Sequence, residues 1–374
     1  MITGPNNPRG ISETPSREKI FICRPASPAE ERPCAESIIS KLASEAYRRP
    51  ATAADLEGPL SFYMSAASEG GFELGIRTAL QAILASPAFL LRLEREPSQA
   101  VSGENYRVGD FDLASRLSFF LWGTSPDQEL LELAAQEQLV EASVLAAQVE
   151  RMLTDPRSEA LATRFAHQWL RLQDAAKNQP EPYFYPDFNR QLGQAMVRET
   201  ELFFYDLVRE DRSLLELLNA DYTFVDESLA RHYGIPGVSG SEFRRVRYPD
   251  ETRRGLLGHG SVLLLTSMSD RTSPVLRGKW VMEVLMGAPP PPPPPDIPAF
   301  DQTESSSDGR QLTTRERMEL HRANPTCNAC HRFMDPIGLA LDNFDVTGKW
   351  RIRENGMPLD TRGTFYDGSS VNTP

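Results

Sequence analysis

The sequence predicts an all-α protein built from consecutive helical bundles, and three kinds of observation support this fold class. Apolar residues recur at helical spacing, as in the series Leu113, Leu117, Phe120 and Leu121. Helix-start signals, in which Ser or Thr precedes the first turn, recur along the chain. Strict alternation of apolar and polar residues, the pattern of a half-buried strand, occurs only in short runs. We therefore expect helices throughout and only minor β structure near the C-terminus, after Thr361.

The first predicted domain is a small helical bundle over residues 20–97, preceded by a disordered tail over residues 1–19. A capping box at residues 27–30, with Pro in the first turn, predicts the start of its first helix. Thr52 predicts the start of a second helix, and the glycines at 70–71 predict its end before a third. These helices each carry an apolar face, so we expect them to pack as a bundle.

The second predicted domain covers residues 107–237 and is also helical. A capping box at residues 125–128 predicts a helix start, and Gly234 predicts a helix end. A short extended segment is expected at residues 221–225. Further helices are expected at residues 143–153, 157–172, 188–210 and 212–219.

The third predicted domain, residues 252–350, combines helices with a proline-rich linker. A glycine-punctuated apolar run predicts a buried helix at residues 255–266, and another helix is expected at 275–286. The linker at residues 289–300 begins with consecutive prolines, which favour a stiff polyproline II rod. Residues 351–374 are expected to begin a further, truncated C-terminal domain.

The strongest chemical signal in the chain is the pentapeptide Cys327-Asn328-Ala329-Cys330-His331. It has the C-x-x-C-H form by which a c-type haem is attached through two thioether bonds. Two intervening residues let both sulfurs reach one porphyrin edge, and the histidine that follows can offer an axial nitrogen to the iron. A chance match is rare, because the chain has 4 cysteines and 5 histidines in 374 residues. The motif therefore predicts one covalent haem c per chain.

Three other interpretations of the pentapeptide remain open at this stage. A zinc site would use Cys327, Cys330 and His331 with a fourth ligand such as His321. A thioredoxin-like redox dithiol would need a βαβ setting, which the sequence does not indicate. The match could also be fortuitous, in which case the two thiols are simply free.

Further haem contacts are predicted outside the pentapeptide. His331 is the expected axial ligand on one face of the iron, and His321 is the first candidate on the other face, followed by Met357. Arg271 and Arg277 are candidates to pair with the haem propionates, because guanidinium groups bind carboxylates in a two-pronged geometry. The alternative for each arginine is a surface or structural role.

The C-terminal region resembles the haem-attachment region of planctomycete-type cytochrome-c proteins, which are large, modular, secreted bacterial proteins with segments mostly of unknown function. The resemblance rests on residues 321–331, 334–345 and 348–351, and it extends upstream to residues 21–25, 114–122, 231–236 and 272–280. It thus covers roughly residues 20–374. It implies a haem-bearing protein outside the cytoplasm, and it implies no particular substrate.

Charge and hydropathy limit the classes of partner. The net charge is −12 and there is no basic cluster, which argues against nucleic-acid binding and favours a basic redox partner protein. No stretch approaches the 18 apolar residues of a membrane span, so no transmembrane segment is predicted.

Haem c is attached outside the cytoplasm, so we expect a periplasmic, cell-surface or secreted location. The first 19 residues lack the pattern of a signal peptide, and we therefore expect this chain to be part of a longer precursor. Ten residues lie between Cys23 and Cys34. In an oxidising compartment these two cysteines are expected to form a disulfide, and the alternative is two buried thiols.

The sequence therefore predicts an extracytoplasmic c-type haem protein that transfers electrons. Two alternatives remain: a peroxidase-like oxidative enzyme with an open iron site, and a cell-surface protein that contacts polysaccharide or other secreted proteins. Electron transfer is the preferred interpretation, and no catalytic residue is predicted.

Overall fold

The computed structural model describes residues 14–94, 96, 100–292, 312–354, 356–365 and 367–371. Helices dominate these residues and the strands are short, which confirms the predicted all-α class with minor β structure. The chain divides into two compact units, Met1–Arg157 and Ser158–Pro374. Most of the predicted proline-rich linker and of the predicted N-terminal tail lies outside the described residues. In the part that is described, no helix has the length and apolar character needed to cross a bilayer.

The helices of the first unit begin earlier than the sequence predicts. Residues 15–20 form a short helix whose first turn is capped by the Thr14 hydroxyl, although the predicted disordered tail included residues up to 19. The helices in order are α1 (Pro15–Ile20), α2 (Pro28–Tyr47), α3 (Ala53–Gly70), α4 (Phe72–Ala85), α5 (Pro87–Leu90), α6 (Asp110–Leu121), α7 (Gln128–Ala135) and α8 (Ala142–Thr154).

Helices α2, α3 and α4 share one apolar core, as the amphipathic pattern predicts. Ile38, Tyr63 and Ile76 come from the three helices in turn and are almost completely buried together. The predicted start of α3 is confirmed, because Thr52 and Asp55 form a reciprocal capping box that satisfies two backbone N–H groups. The local signals and the apolar faces thus specify the same bundle.

Two predicted capping boxes differ in detail from the structure. Helix α2 starts at the expected residue, but the Ser27 hydroxyl bonds the Glu30 carboxylate at 3.0 Å instead of a backbone N–H group. Helix α7 starts two residues later than predicted, because Asp127 is the capping residue in place of Ser125. The Asp127 carboxylate accepts a hydrogen bond from Leu130 N at 3.1 Å, a bond that a shorter serine side chain at 125 cannot make from its position.

Cys23 and Cys34 form a disulfide with their Cα atoms 5.9 Å apart, which confirms the pairing expected from the sequence. The bond ties the segment between α1 and α2 to the second turn of α2. We expect the double variant Cys23→Ser/Cys34→Ser to lower the free energy of unfolding of the first unit by about 2–3 kcal/mol, because the open loop gains entropy on unfolding. Urea denaturation followed by far-UV circular dichroism measures this difference.

The same comparison under a reducing agent is the control for the disulfide variant. Reduction removes the bond from the wild-type protein as well, so the two denaturation midpoints should then converge. A difference of equal size under reducing conditions would contradict the disulfide as its cause.

The second unit combines helices, short helical turns and three small antiparallel strand pairs. In the described residues, the pairs join residues 222–225 with 244–247, 353–354 with 357–358, and 363–364 with 370–371. The elements are α9 (His167–Trp169), α10 (Arg190–Arg209), α11 (Glu216–Asn219), β1 (Tyr222–Val225), α12 (Glu227–Tyr233), β2 (Arg244–Arg247), α13 (Gly260–Leu265), α14 (Pro274–Trp280), α15 (Thr314–Arg322), α16 (Pro325–Ala340), β3 (Arg353–Glu354), β4 (Met357–Pro358), β5 (Gly363–Thr364) and β6 (Ser370–Val371).

Several helices predicted for the second unit are shorter than expected. The region predicted as one helix at 157–172 consists of 3-10 and π-helical turns around α9, and Arg171 ends it with φ +57°. The helix predicted at 212–219 is reduced to α11, and Asp211, with φ +46°, separates this region from the end of α10. A left-handed residue breaks the i to i−4 hydrogen-bond series, which periodicity of apolar residues alone does not reveal.

Helices α14 and α16 cross with their backbones in direct contact. A Cβ atom added to Gly278 would lie within 3.0 Å of the Met334 carbonyl, and one added to Gly338 would meet the Pro274 carbonyl equally closely. Only glycine permits such an approach at both positions. The crossing fixes the second half of α16, and the C-x-x-C-H pentapeptide lies in the first half of the same helix.

Candidate haem-attachment site

Two consecutive helices position the candidate site. Helix α15 begins after Thr313, which forms a capping box with Glu316. Helix α16 begins after Asn324, whose side chain accepts a hydrogen bond from Thr326 N at 3.0 Å, with Pro325 in the first helical position. Proline has no N–H group to lose there, so the same residue ends one helix and starts the next. Helix α16 therefore begins two residues before Cys327.

The two cysteines and the histidine of the pentapeptide occupy the first two turns of α16. Cys327 is buried, and Cys330 and His331 are half-buried. Positions three and four residues apart lie on one face of a helix, so the three side chains are neighbours. Within the described residues neither thiol forms a disulfide. Both sulfurs are therefore available for other chemistry.

Asp335 follows His331 by one helical turn and is completely buried. Its Oδ1 lies 2.9 Å from His331 Nδ1. A carboxylate can only accept a hydrogen bond, so His331 Nδ1 donates and the lone pair remains on Nε2, the nitrogen that a metal ion would take. Arg322 of α15 brings its Nε within 3.6 Å of Asp335 Oδ2. Among the described residues, Oδ2 has no hydrogen-bond partner.

His321 of α15 lies in ring-to-ring contact with His331 of α16. The centroids of the two rings are 4.6 Å apart, and the ring planes are inclined at 60°. Burial, followed by the neighbouring His331, lowers the pKa of the His321 imidazole. A lowered pKa favours the neutral imidazole, which is the form that binds metals.

Arg277 is bound within the protein interior. Its Nη1 donates to the carbonyl oxygens of Leu341 and Phe344 at 2.6 and 2.8 Å, and Nη2 donates to that of Asp345 at 3.0 Å. These bonds hold the chain that follows α16 against α14. Arg277 therefore has the structural role that was the alternative to pairing with a haem propionate. Its guanidinium binds backbone carbonyls, and its side chain is almost completely buried.

The remaining predicted contacts lie nearer the surface. Arg271 is half-buried in the loop before α14 and contacts Asp270 at 3.0 Å. Met357 lies in β4 with half of its surface exposed. The structure thus places His321 beside His331, on the helix that also carries Cys327 and Cys330. In the described part of the chain, no group of three or more His, Cys, Asp or Glu side chains is arranged to hold a metal ion.

A second polar cluster lies in the core of the second unit around Glu199 of α10, which is completely buried. Thr223 and Tyr233 each donate a hydroxyl hydrogen bond of 2.6 Å to its two carboxyl oxygens. Burial raises the pKa of Glu199 to about 7, against the opposing effect of these bonds and of Arg253. Tyr233 in turn accepts a hydrogen bond from Gly260 N at 2.7 Å.

Sequence analysis missed Asp335 and Glu199, although each left a signal. Asp335 follows His331 at the i, i+4 spacing that places side chains on one helical face. Glu199 lies on the apolar stripe of α10, between Met196 and Phe203, where a carboxyl group is out of place unless its hydrogen bonds are satisfied. A polar residue on an apolar helix face is therefore the sequence signal that points to Glu199.

The residues at the start of α16 fit a covalently attached haem. The test is chemical: the attachment needs two free thiols, and the iron needs an imidazole whose Nε2 is unprotonated. Cys327 and Cys330 are free, and the hydrogen bond to Asp335 leaves Nε2 of His331 as the ligand nitrogen. His321 offers a second imidazole beside the first.

Comparisons with known proteins find family models for three parts of the chain. Residues 34–94, 108–235 and 253–354 match three family models, each described as a protein of unknown function, DUF1595, DUF1592 and DUF1588 respectively. The third match contains the C-x-x-C-H pentapeptide. No curated protein and no solved structure matches the chain. The chain is therefore similar, over these three ranges, to domains of unknown function that are associated with planctomycete cytochrome-c proteins.

Proposed function

We propose that this protein carries one covalent haem c and transfers single electrons outside the cytoplasm. The observation that carries the proposal is the C-x-x-C-H pentapeptide at the start of α16, with the His331 imidazole held by Asp335 at 2.9 Å. Cys327 and Cys330 would form the thioether bonds and His331 would ligate the iron. When bound, the haem supplies a one-electron couple between ferric and ferrous iron.

The protein residues around the iron favour electron transfer over chemistry at an open site. His321 is the residue that we propose would supply a second imidazole to the iron, because it lies on the helix that packs beside the pentapeptide and burial favours its neutral form. An iron with two strong axial ligands has no position left for a small molecule and exchanges electrons with a partner protein. Arg271 remains the candidate to pair with a haem propionate.

The proposed location and partner follow from the disulfide and the charge. Cys23–Cys34 supports an oxidising compartment, such as the periplasm or the cell surface. With a net charge of −12, the protein would attract a basic redox partner by long-range electrostatic steering. The partner would supply or accept the electron that the haem stores.

Expression of the chain with a secretion signal, in a host that has haem-maturation machinery, tests the proposal. We expect the intact mass to increase by one haem, and the increase to be absent in the double variant Cys327→Ala/Cys330→Ala. The matched control is Cys23→Ser/Cys34→Ser, which removes the other two thiols and should retain the haem. An unmodified mass for the wild-type chain after maturation would refute the proposal.

The same preparation separates electron transfer from the peroxidase-like alternative. With His321 as second ligand, the reduced protein should have a low-spin absorbance spectrum that does not change with carbon monoxide. His321→Ala should open the site and admit carbon monoxide. A wild-type spectrum that responds to carbon monoxide would favour an oxidative enzyme with an open iron site.

A further inference from the structure

We infer that Asp335 is the positioning residue that sets the reduction potential of this site, and that Arg322 moderates its effect. This inference rests on the proposed function, since it concerns the iron that His331 would ligate. The Asp335 carboxyl group is not itself a proposed ligand of the iron. It acts through the imidazole of His331, to which it is bonded at 2.9 Å.

Asp335 and His331 form a largely buried pair. Asp335 is completely buried, whereas His331 is half-buried with 13% of its side chain exposed. A buried hydrogen bond between an imidazole and a carboxylate is little screened by water, so its electrostatic effect on the ring is strong. Such partners fix the ring orientation and raise the basicity of the ligating nitrogen. The spacing of one helical turn makes this contact a property of α16 itself.

Arg322 partly balances the charge of the Asp335 carboxyl group. Arg322 Nε is 3.6 Å from Asp335 Oδ2, which is close enough for ionic attraction and too long for a hydrogen bond. In the described residues Oδ2 has no other partner. Arg322 thus partly compensates the negative charge of Asp335, and the uncompensated part of that charge acts on the His331 imidazole.

The direction of the effect follows from the sign of that charge. Negative charge on the ligand side of the iron favours the ferric state, which carries one more positive charge than the ferrous state. Asp335 therefore lowers the midpoint potential, and Arg322 raises it. The site would operate as a low-potential carrier that gives electrons to its partner readily.

A redox titration of the haem-loaded protein, followed by absorbance, tests this inference. Asp335→Asn keeps the shape of the side chain and a hydrogen-bond acceptor but removes the charge. We expect it to shift the ferric–ferrous equilibrium at least tenfold towards the ferrous state, which is about 59 mV for one electron. Arg322→Gln should shift the potential in the opposite direction.

Glu319→Gln is the matched control, because it removes one negative charge from α15 at a position that pairs with Arg315 at 3.6 Å instead of with His331. Its midpoint potential should equal that of the wild type. A purely structural role for Asp335 would alter the thermal stability and leave the potential unchanged.

The outcomes distinguish this inference from the proposed function. If the wild type carries haem and both Asp335→Asn and Arg322→Gln have the midpoint potential of the wild type, the inference is overturned and the haem assignment stands. If no haem attaches to the wild type, both fall. Should Asp335→Asn fail to fold, the direction of the Arg322→Gln shift decides, since only a lowered potential agrees with the inference.

Discussion

Gly338→Ala is expected to lower the free energy of unfolding of the second unit by about 3 kcal/mol or more, because it forces two helices apart. The added Cβ would lie within 3.0 Å of the carbonyl oxygen and carbon of Pro274, and both are backbone atoms that cannot rotate away. Relief requires α16 to shift relative to α14. That shift would also disturb the close approach of Gly278 to the Met334 carbonyl.

Chemical denaturation followed by far-UV circular dichroism measures the effect of Gly338→Ala. Gly193→Ala is the matched control in the same unit, since Gly193 lies inside α10 and its added Cβ would meet only the tip of the Phe188 ring at 3.2 Å. The control should be neutral or slightly stabilising, because alanine favours helix. Equal denaturation midpoints for Gly338→Ala and the wild type would contradict backbone contact at the crossing.

The second large effect is a loss of stability with rising pH that depends on Glu199. Burial raises its pKa from 4.5 in the unfolded chain to about 7 in the folded protein. Between these values Glu199 retains in the folded protein a proton that it has released in the unfolded chain, so its contribution to stability is greatest below pH 4.5 and falls as the pH rises towards 7. The shift corresponds to about 3 kcal/mol over this window.

Glu199→Gln should remove this contribution to the pH dependence. Glutamine cannot ionise, and its side chain has the same shape as the protonated carboxyl group. The measurement is the difference in unfolding free energy between variant and wild type at intervals from pH 4 to pH 8. Glu251→Gln is the control, because the Glu251 side chain is 91% exposed. A difference that stays constant across the window would contradict the raised pKa of Glu199.

The cluster around Glu199 also explains why a carboxyl group can lie in this core. Two hydroxyl donors satisfy its oxygens, and Arg253 lies close enough to oppose the rise in its pKa. Arg253 itself stacks on the Tyr233 ring, with its guanidinium carbon 3.9 Å from the ring centroid. Replacement by an apolar residue would leave the hydroxyl of Thr223 without this acceptor, so the group is retained as a network.

Local sequence signals predicted several features of the fold correctly. Thr52 marks a helix start because its side chain, together with that of Asp55, satisfies backbone N–H groups in the first turn. The disulfide between Cys23 and Cys34 was also predicted, although only through the compartment that the haem motif implies. Where a left-handed residue such as Arg171 interrupts a helix, the local signal is silent.

The amino-acid sequence by itself determined the helical class, most helix boundaries and the cysteine–histidine pentapeptide, because periodicity, capping and motif spacing act between residues close in the chain. Only the tertiary structure decided that Arg277 binds backbone carbonyls, that His321 lies beside His331, and that Glu199 is buried with two hydroxyl partners. These relationships join residues distant in sequence, or depend on which helix face is buried. Hydrogen bonding and burial across such distances are set by packing, because capping and motif spacing act only between residues close in the chain.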